Sequence, residues 1–493
     1  MSMIQQIQTP PTESILAKVL RGGALLFSLQ LVNRCLGFLR TIVLARLLSP
    51  DDFGLLGIAM LAISVVDNFS QTGFQTFLIQ KKDVTRGHLD TSWTLSAARG
   101  VILFLILFFS APLISRFFNS PDSALIIRVI AATTILSGFR NIGILFFQKE
   151  LEFKKQFTYE FGTAFADLIV TITLAIILKN VWALVWGGLA ANLFGLLLSY
   201  VVHPYRPRIS LDKNKLQEIV GFGKWMTGSS ILVFLVTQGD DLFVGKWLGA
   251  AALGLYQMAY YISNLPATQV THMLTQVTFP AYAKLQDDIP KLRAAYLDVL
   301  QVTACISIPL AAGIFLLAPE FTRLFMGEKW MPMVPAMRVL VLAGLARSVA
   351  ATTGPVFNAI GRPGIDTKWQ LVRLILLVIS IYPLAVHLGI LGVSISVLLS
   401  ISVSSLGFCA TVISATGCRI SALCKRVAIP LAYSCIMAAL VLILQTALQP
   451  CGIPEFFFLV GIGILSYIFA SFVLDRFLGY GMITLIKEKL ASL

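Results

Sequence analysis

The sequence predicts an all-α integral membrane protein of about fourteen transmembrane helices, on the strength of composition, block length and charge placement. Of 493 residues, 57% are hydrophobic and 13% charged, against roughly 45–50% and about 25% in soluble domains. The apolar residues come in blocks of about 20, the length a helix needs to cross roughly 30 Å of hydrocarbon. Only elements that satisfy their own backbone hydrogen bonds persist there, and blocks of this length read as helices. In order they fall near 22–48, 53–77, 92–115, 124–147, 158–178, 181–202, 222–247, 252–280, 296–318, 333–358, 368–387, 390–414, 426–447 and 456–475. The connections between them leave no room for a sizeable soluble domain.

Charge placement orients the blocks. The formal net charge is +14, which in a soluble chain would suggest nucleic acid as a partner. Position accounts for it instead, and no nucleic-acid partner is expected. Assigning alternate connections to the cytoplasm collects twenty-five Lys and Arg there, Arg362, Lys368 and Arg373 among them. Only Arg116, Lys179, Lys246, Arg323 and Lys329 fall on the other side. The positive-inside rule then puts both termini in the cytoplasm. The start, MSMIQQIQTPPTES, lacks a short apolar core with a cleavage site, so insertion is expected to rely on the first span. The seven Cys lie mostly in or beside apolar blocks without metal-ligand spacing, so disulfides, a metal site and a cofactor are not expected.

The first block carries Gln30, Asn33, Gly37 and Arg40 at 3-4-3 spacing on one helical face, with Arg34 beside them. A charge at the bilayer centre costs about 2.5–3.5 kcal/mol or more, so such residues face a bundle interior or a wet cavity. Arg46, nearer the end, fits snorkelling to the interface. The second block repeats the polar stripe with Ser64, Asp67, Gln71 and Gln75. The seventh carries Ser230, Thr237, Asp240 and Asp241. Asp67 and Asp241 read as Arg counter-ions or as carriers of a coupling proton, whereas Asp240 and Asp241 lie near the expected outer end and read equally as solvated. Further cations are Arg99 in the third block, Arg140 in the fourth and Arg347 in the tenth. Glu160 and Asp167 sit in the fifth, so Arg99–Asp167 and Arg140–Glu160 are possible structural pairs. Converging guanidinium forks match phosphate oxygens bidentately. Trp93, Trp182, Trp186, Tyr256, Tyr260 and Tyr261 fit interfacial belts, with sugar stacking as the alternative, best placed at Tyr256 and Tyr260.

At an offset of 200 residues, ARLLSPDDFGLLGIAM (45–60) faces GKWLGAAALGLYQMAY (245–260), matching Leu48, Gly54, Leu55 and Ala59 to Leu248, Gly254, Leu255 and Ala259. Six blocks separate the copies, so the repeat is parallel, an organisation that puts transporter substrates at the midplane between halves. The boundaries that follow are a first lobe at 1–202, a cytoplasmic interfacial linker at 203–221, a second lobe at 222–414 and a C-terminal helix pair at 415–493. The stretch 203–225 mixes basic and apolar residues and is expected as a surface helix.

Six segments in order resemble a known family: NRCLGFLRTIVLARLLSPDDFG (33–54), TSWTLSAARG (91–100), FQKELEFKKQFTYE (147–160), GDDLFVGKWLGAAALGLYQMAYYISNLP (239–266), VTFPAYAKLQDD (277–288), and GEKWMPMVPAMRVLVLAGL (327–345) with NAIGRPG (358–364). The chain resembles the polysaccharide transporter family, the Wzx-type O-antigen, colanic-acid and teichuronic-acid flippases of the multidrug/oligosaccharidyl-lipid/polysaccharide exporter superfamily. The resemblance implies two six-helix lobes around a central cavity plus two C-terminal helices. It also implies an undecaprenyl-pyrophosphate-linked repeat unit as substrate, flipped from the cytoplasmic to the periplasmic leaflet of the bacterial inner membrane. Arg34, Arg40, Arg99 and Asp241 fall inside the resembling segments; Arg140 and Arg347 lie between or beyond them.

No phosphate-binding Gly-rich loop with Lys and Ser/Thr, nucleophile elbow or HExxH appears, so the chain is not expected to be an enzyme. The expected function is alternating access through a cationic cavity, with membrane lipid around it and polymerase and glycosyltransferases of the same pathway as possible partners. A cation-coupled multidrug exporter of the same superfamily is the first alternative, disfavoured by the excess of intramembrane Arg. A membrane glycan polymerase or ligase is the second, disfavoured by short outer loops such as 319–332.

Overall fold

The computed structural model describes residues 32–478, apart from 71–72, 82, 151, 363 and 449–451. Among the described residues there is no strand. The helices are α1 (residues 32–47), α2 (Pro50–Phe69), α3 (Phe74–Gln80), α4 (Arg86–Phe117), α5 (Ser123–Ile130), α6 (Ala132–Gly138), α7 (Leu145–Lys149), α8 (Phe153–Leu178) and α9 (Trp182–Val202). They continue as α10 (Lys213–Trp247), α11 (Ala250–Ala283), α12 (Ile289–Phe321), α13 (Val334–Ala351), α14 (Gly354–Ala359), α15 (Gly364–Leu388), α16 (Ile390–Thr416), α17 (Ile420–Leu448) and α18 (Ile453–Leu478).

Ten helical segments among the described residues are long and apolar enough to cross a membrane. The four hydropathy blocks outside that set, at 22–48, 124–147, 222–247 and 252–280, overlap α1, the short pair α5 and α6, α10 and α11. Exposed apolar side chains such as Phe109, Leu113 and Phe469 cover the outside. In water these would be liabilities; against lipid they are the matching surface.

The residues divide into two compact units, Met1–Phe234 and Leu235–Leu493. In the first, α2 starts where Ser49 accepts the Asp52 amide and Asp52 bonds back to the Ser49 amide, with Pro50 leading the first turn. The second expected span does not run through: α2 ends at Phe69, and α3 begins after Gly73, whose φ of +65° suits a residue without Cβ. The fourth expected span is likewise divided, into α5, α6 and the turns around Ile142–Ile144. Gly100 of α4 and Gly138 of α6 bring two backbones together, since a Cβ on Gly100 would stand 2.5 Å from the Thr134 carbonyl oxygen.

The expected surface helix over 203–225 is corrected in its first half. Residues 203–212 carry no helix, and α10 begins at Lys213. Pro204 and Pro207 remove two amide donors and bias the residues before them toward extended backbone. The segment is bonded along the first turns of α4 instead. Tyr205 Oη donates to Asp90 Oδ1 at 2.5 Å, the Arg208 amide to the same oxygen at 3.1 Å, and the Ser210 amide to Thr94 Oγ1 at 3.0 Å. Asn141 Nδ2 donates to the carbonyls of His203 and Tyr205. Burial and then the Asp90 bond push the Tyr205 phenol far above its ordinary value. Lys81 Nζ closes the clip with Glu218 at 2.5 Å, holding that carboxyl below the usual range.

In the second unit α16 is the most enclosed of the helices long enough to cross a membrane, with Val393, Val397, Ser400, Ile401, Ser404 and Phe408 buried along it. One core joins Tyr296 and Phe357 to Phe408 and Val412. A second docks α17 and α18 on α12, where Tyr467 Oη donates to the Cys305 carbonyl at 2.8 Å.

Candidate functional site

In the first unit Arg40, Arg99 and Arg140 are held by other helices. On α1, Arg40 Nη1 lies 3.0 Å from Asp167 Oδ2 of α8, and Thr171 Oγ1 donates to the other Asp167 oxygen. Arg40 Nε and Asn33 Oδ1 are buried without a hydrogen-bond partner among the described residues, while Arg34 is exposed. Gln30, the remaining member of the stripe, lies outside the described residues.

Arg99 of α4 meets the end of α2. Its Nη2 bonds Asp67 Oδ1 at 2.6 Å and the Asp67 carbonyl at 2.9 Å; its Nε bonds the Ser70 carbonyl at 2.9 Å. The guanidinium thus satisfies carbonyls left over where a helix stops, and its charge suits the negative end of the helix dipole. The pairs read from sequence, Arg99–Asp167 and Arg140–Glu160, are corrected to Arg99–Asp67, Arg40–Asp167 and Arg140–Asn192. Arg140 Nη2 donates to the amide oxygen Oδ1 of Asn192 at 2.7 Å. Arg140 Nε and Tyr159 Oη are both buried without a partner among the described residues.

A cavity of about 400 Å³ lies within this unit, lined by Asp67, Gln75, Arg99, Thr133, Ser137 and Asn192 with their neighbours. Its walls come from α2, α3, α4, α6 and α9, and Gly73, where α3 begins, lines it too. Non-helical backbone at membrane depth is tolerated where it is buried in protein or lines a cavity.

The second unit holds a separate charged cluster. Arg347 of α13 donates to Tyr260 Oη at 2.6 Å and Asn264 Oδ1 at 3.0 Å, with its guanidinium 5.3 Å from the Tyr260 ring centre. Tyr256 Oη donates to Asp240 Oδ2 at 2.7 Å. Asp240 is 3% exposed, which corrects a solvated Asp240, and Tyr256 is fully buried. Asp240 Oδ1 and Asp241 Oδ1 are buried without a hydrogen-bond partner among the described residues.

Arg373 was assigned to a cytoplasmic connection by the charge pattern; it sits on α15 instead. Its Nη2 donates to the Val236 carbonyl at 3.3 Å, within electrostatic reach of Asp240 and Arg347. Its place inside the 368–387 block was the available signal. Asn192 and Asn264 gave none, since an amide in an apolar helix shows no partner in sequence.

A sequence profile described as "Polysaccharide biosynthesis protein" matches residues 43–335, more than half of the chain. The chain belongs to this polysaccharide biosynthesis protein family. The family match begins after Arg34 and Arg40 and ends before Arg347, so those three lie beyond it. Among curated relatives, the lipopolysaccharide biosynthesis protein WzxC of Escherichia coli K12 is 30% identical over 370 residues, 74% of each chain. The teichuronic acid biosynthesis protein TuaB of Bacillus subtilis 168 is 26% identical over 63% of this chain and 65% of its own. Among solved structures, the lipid II flippase MurJ in an inward closed conformation aligns with a TM-score of 0.73 at 14% identity, over 92% of this chain and 99% of its own. An inward-facing multidrug resistance transporter of the MATE family, in the MOP superfamily, aligns at 0.62 and 18% identity, over 80% and 96%. At these identities the structural likeness speaks for the fold: this polysaccharide biosynthesis protein is a multi-pass helical membrane protein built like those transporters.

Proposed function

We propose that this protein moves lipid-linked oligosaccharide repeat units from the cytoplasmic to the periplasmic leaflet of a bacterial cytoplasmic membrane, with both termini in the cytoplasm, for polysaccharide assembly. The observation that carries the reading is membership of a polysaccharide biosynthesis family by a multi-pass chain that holds Arg40, Arg99, Arg140 and Arg347 within its helical bundles. A glycosylated diphosphate cannot cross about 30 Å of hydrocarbon unaided, whereas its prenyl tail is at home there. The protein's task is to give the head group a polar route while the tail stays in lipid. In this reading the candidate diphosphate contacts are Arg34, Arg40 and Arg140 in the first unit and, separately, Arg347 in the second, while Asp67 and Asp167 in the first unit and Asp240 and Asp241 in the second offset cationic charge when no cargo is bound. Alternating exposure of the route to the two sides needs no covalent step. Polymerase and glycosyltransferases of the pathway are the partners it implies.

Complementation of a strain lacking its own repeat-unit flippase tests the reading. Wild type is expected to restore surface polysaccharide, while Arg34→Ala or Arg40→Ala at matched membrane expression removes it. The buried Asp240 and the half-buried Asp241 beside it favour a second reading, a cation-coupled drug exporter. Failure of wild type in several glycan backgrounds, together with drug resistance conferred on the host, would replace the first reading with the second.

A further inference from the structure

We infer that the cavity at the break between α2 and α3 is a subsite for an uncharged sugar of the cargo, separate from any contact with its diphosphate; this rests on the function proposed above. Its size, about 400 Å³, falls in the range of small-molecule sites, about 300–1,000 Å³. The ionisable side chains on its wall, Asp67 and Arg99, pair at 2.6 Å and cancel. The Nε–Nη2 edge of Arg99 is already spent on Ser70 and Asp67. A phosphate could take a bidentate grip on that edge only by dismantling the end of α2. Among the described residues no aromatic ring lines the cavity, so the wall offers no cation–π seat for an organic cation either.

What remains suits a polyol. The hydroxyl hydrogens of Thr133 and Ser137 go to the Ile130 and Thr134 carbonyls at 2.7 and 3.0 Å, leaving their oxygen lone pairs to accept. Asn192 gives an amide hydrogen to the Gly188 carbonyl and its oxygen takes one from Arg140, so the oxygen keeps a second lone pair. The Asp67 carboxylate adds acceptors, and the Gln75 amide adds donors. Sugar hydroxyls donate and accept, and vicinal pairs span such neighbours. A uronic acid would set its carboxylate beside Asp67 and is disfavoured.

The test is direct binding to the full chain in lipid nanodiscs. The probes are a short-chain prenyl diphosphate without sugar and the same compound carrying a neutral hexose or an N-acetylhexosamine. Wild type is expected to bind at least one glycosylated probe about tenfold tighter than the bare one, a difference of about 1.4 kcal/mol. Ser137→Trp, which fills the cavity, should bring the ratio to within about twofold and leave the bare diphosphate affinity unchanged. Thr133→Val removes an acceptor at constant volume and should lower the ratio too; it decides the matter where Ser137→Trp does not fold. A wild type that binds all probes equally, or a gain that survives both substitutions, overturns the sugar subsite and leaves the flippase reading standing. Binding of no probe overturns both.

Discussion

The two units place an intrahelical charge at the same register, half-buried in the first and buried in the second, and give it opposite signs. In the first, α1 stops at residue 47 and α2 starts at Pro50; in the second, α10 stops at Trp247 and α11 starts at Ala250, an offset of 200 residues. Arg40 lies seven residues before the first stop and Asp240 seven before the second. Arg40 finds its counter-charge in Asp167 on α8, which carries the fifth hydropathy block. Asp240 has Tyr256 within its bond and Arg373 within electrostatic reach, the latter on α15, which carries the eleventh. Each unit therefore ties its first helix to its fifth through a charge that hydrocarbon would not tolerate alone. The position is what the architecture requires; the sign is open, provided the partner changes with it.

Breaking the comparison at its stronger pair should have the largest effect. Arg40→Ala or Asp167→Ala alone leaves a half-buried charge without its partner, and each is expected to destabilise by about 1.5–3 kcal/mol. The double variant should lose less than the sum, and the exchange Arg40→Asp with Asp167→Arg should recover much of the loss. Strictly additive losses in detergent unfolding would mean that the two are not coupled. In the second unit, Tyr256→Phe strips the Asp240 oxygen of its bond and should cost about 1–3 kcal/mol. An unchanged melting temperature would show that Arg373 alone suffices.

The next comparison is within the first unit, where Gly100→Ala drives a Cβ to 2.5 Å from the Thr134 carbonyl. A loss of about 1–3 kcal/mol is expected from overpacking, and a neutral outcome would mean that α4 and α6 can separate freely. Smallest is a pH effect at the extended segment. Burial first, and then nearby Lys155, hold His203 below its ordinary value of 6.5. In the window between the depressed and the ordinary value the unfolded chain binds the proton first, so stability falls as pH drops through it and is regained above it. Comparing melting temperatures of wild type and His203→Gln between pH 7.5 and 5 checks this; parallel curves would remove His203 as the source.

Hydropathy carried much of this architecture, because length and apolarity are local properties and each block overlaps a helix. Misreadings came where one residue decided the backbone. Gly73 starts a new helix inside an apolar run without making the run less apolar, and two prolines turned an amphipathic stretch into an extended one. For the site, the sequence exposed which residues are out of place in lipid but not whom they meet. Arg99 lies nearer in sequence to Asp67 than to Asp167, yet nothing local chose between them; the choice was made where α2 stops. Arg373 was lost among loop cations because it sits only five residues beyond Lys368, near the start of its block.

The pairing of Arg40 with Asp167 also bears on how the chain is made. When the last residue of α1 is added to the growing chain, its counter-charge is still more than a hundred residues from being synthesised. At about 5–20 residues per second that interval is on the order of ten seconds. Throughout it, a segment with Asn33, Arg34 and Arg40 must wait beside the translocation machinery or rest at the membrane surface. Final burial of the first helix is thus deferred until the fifth arrives, so the order of synthesis and the order of assembly in this protein are not the same.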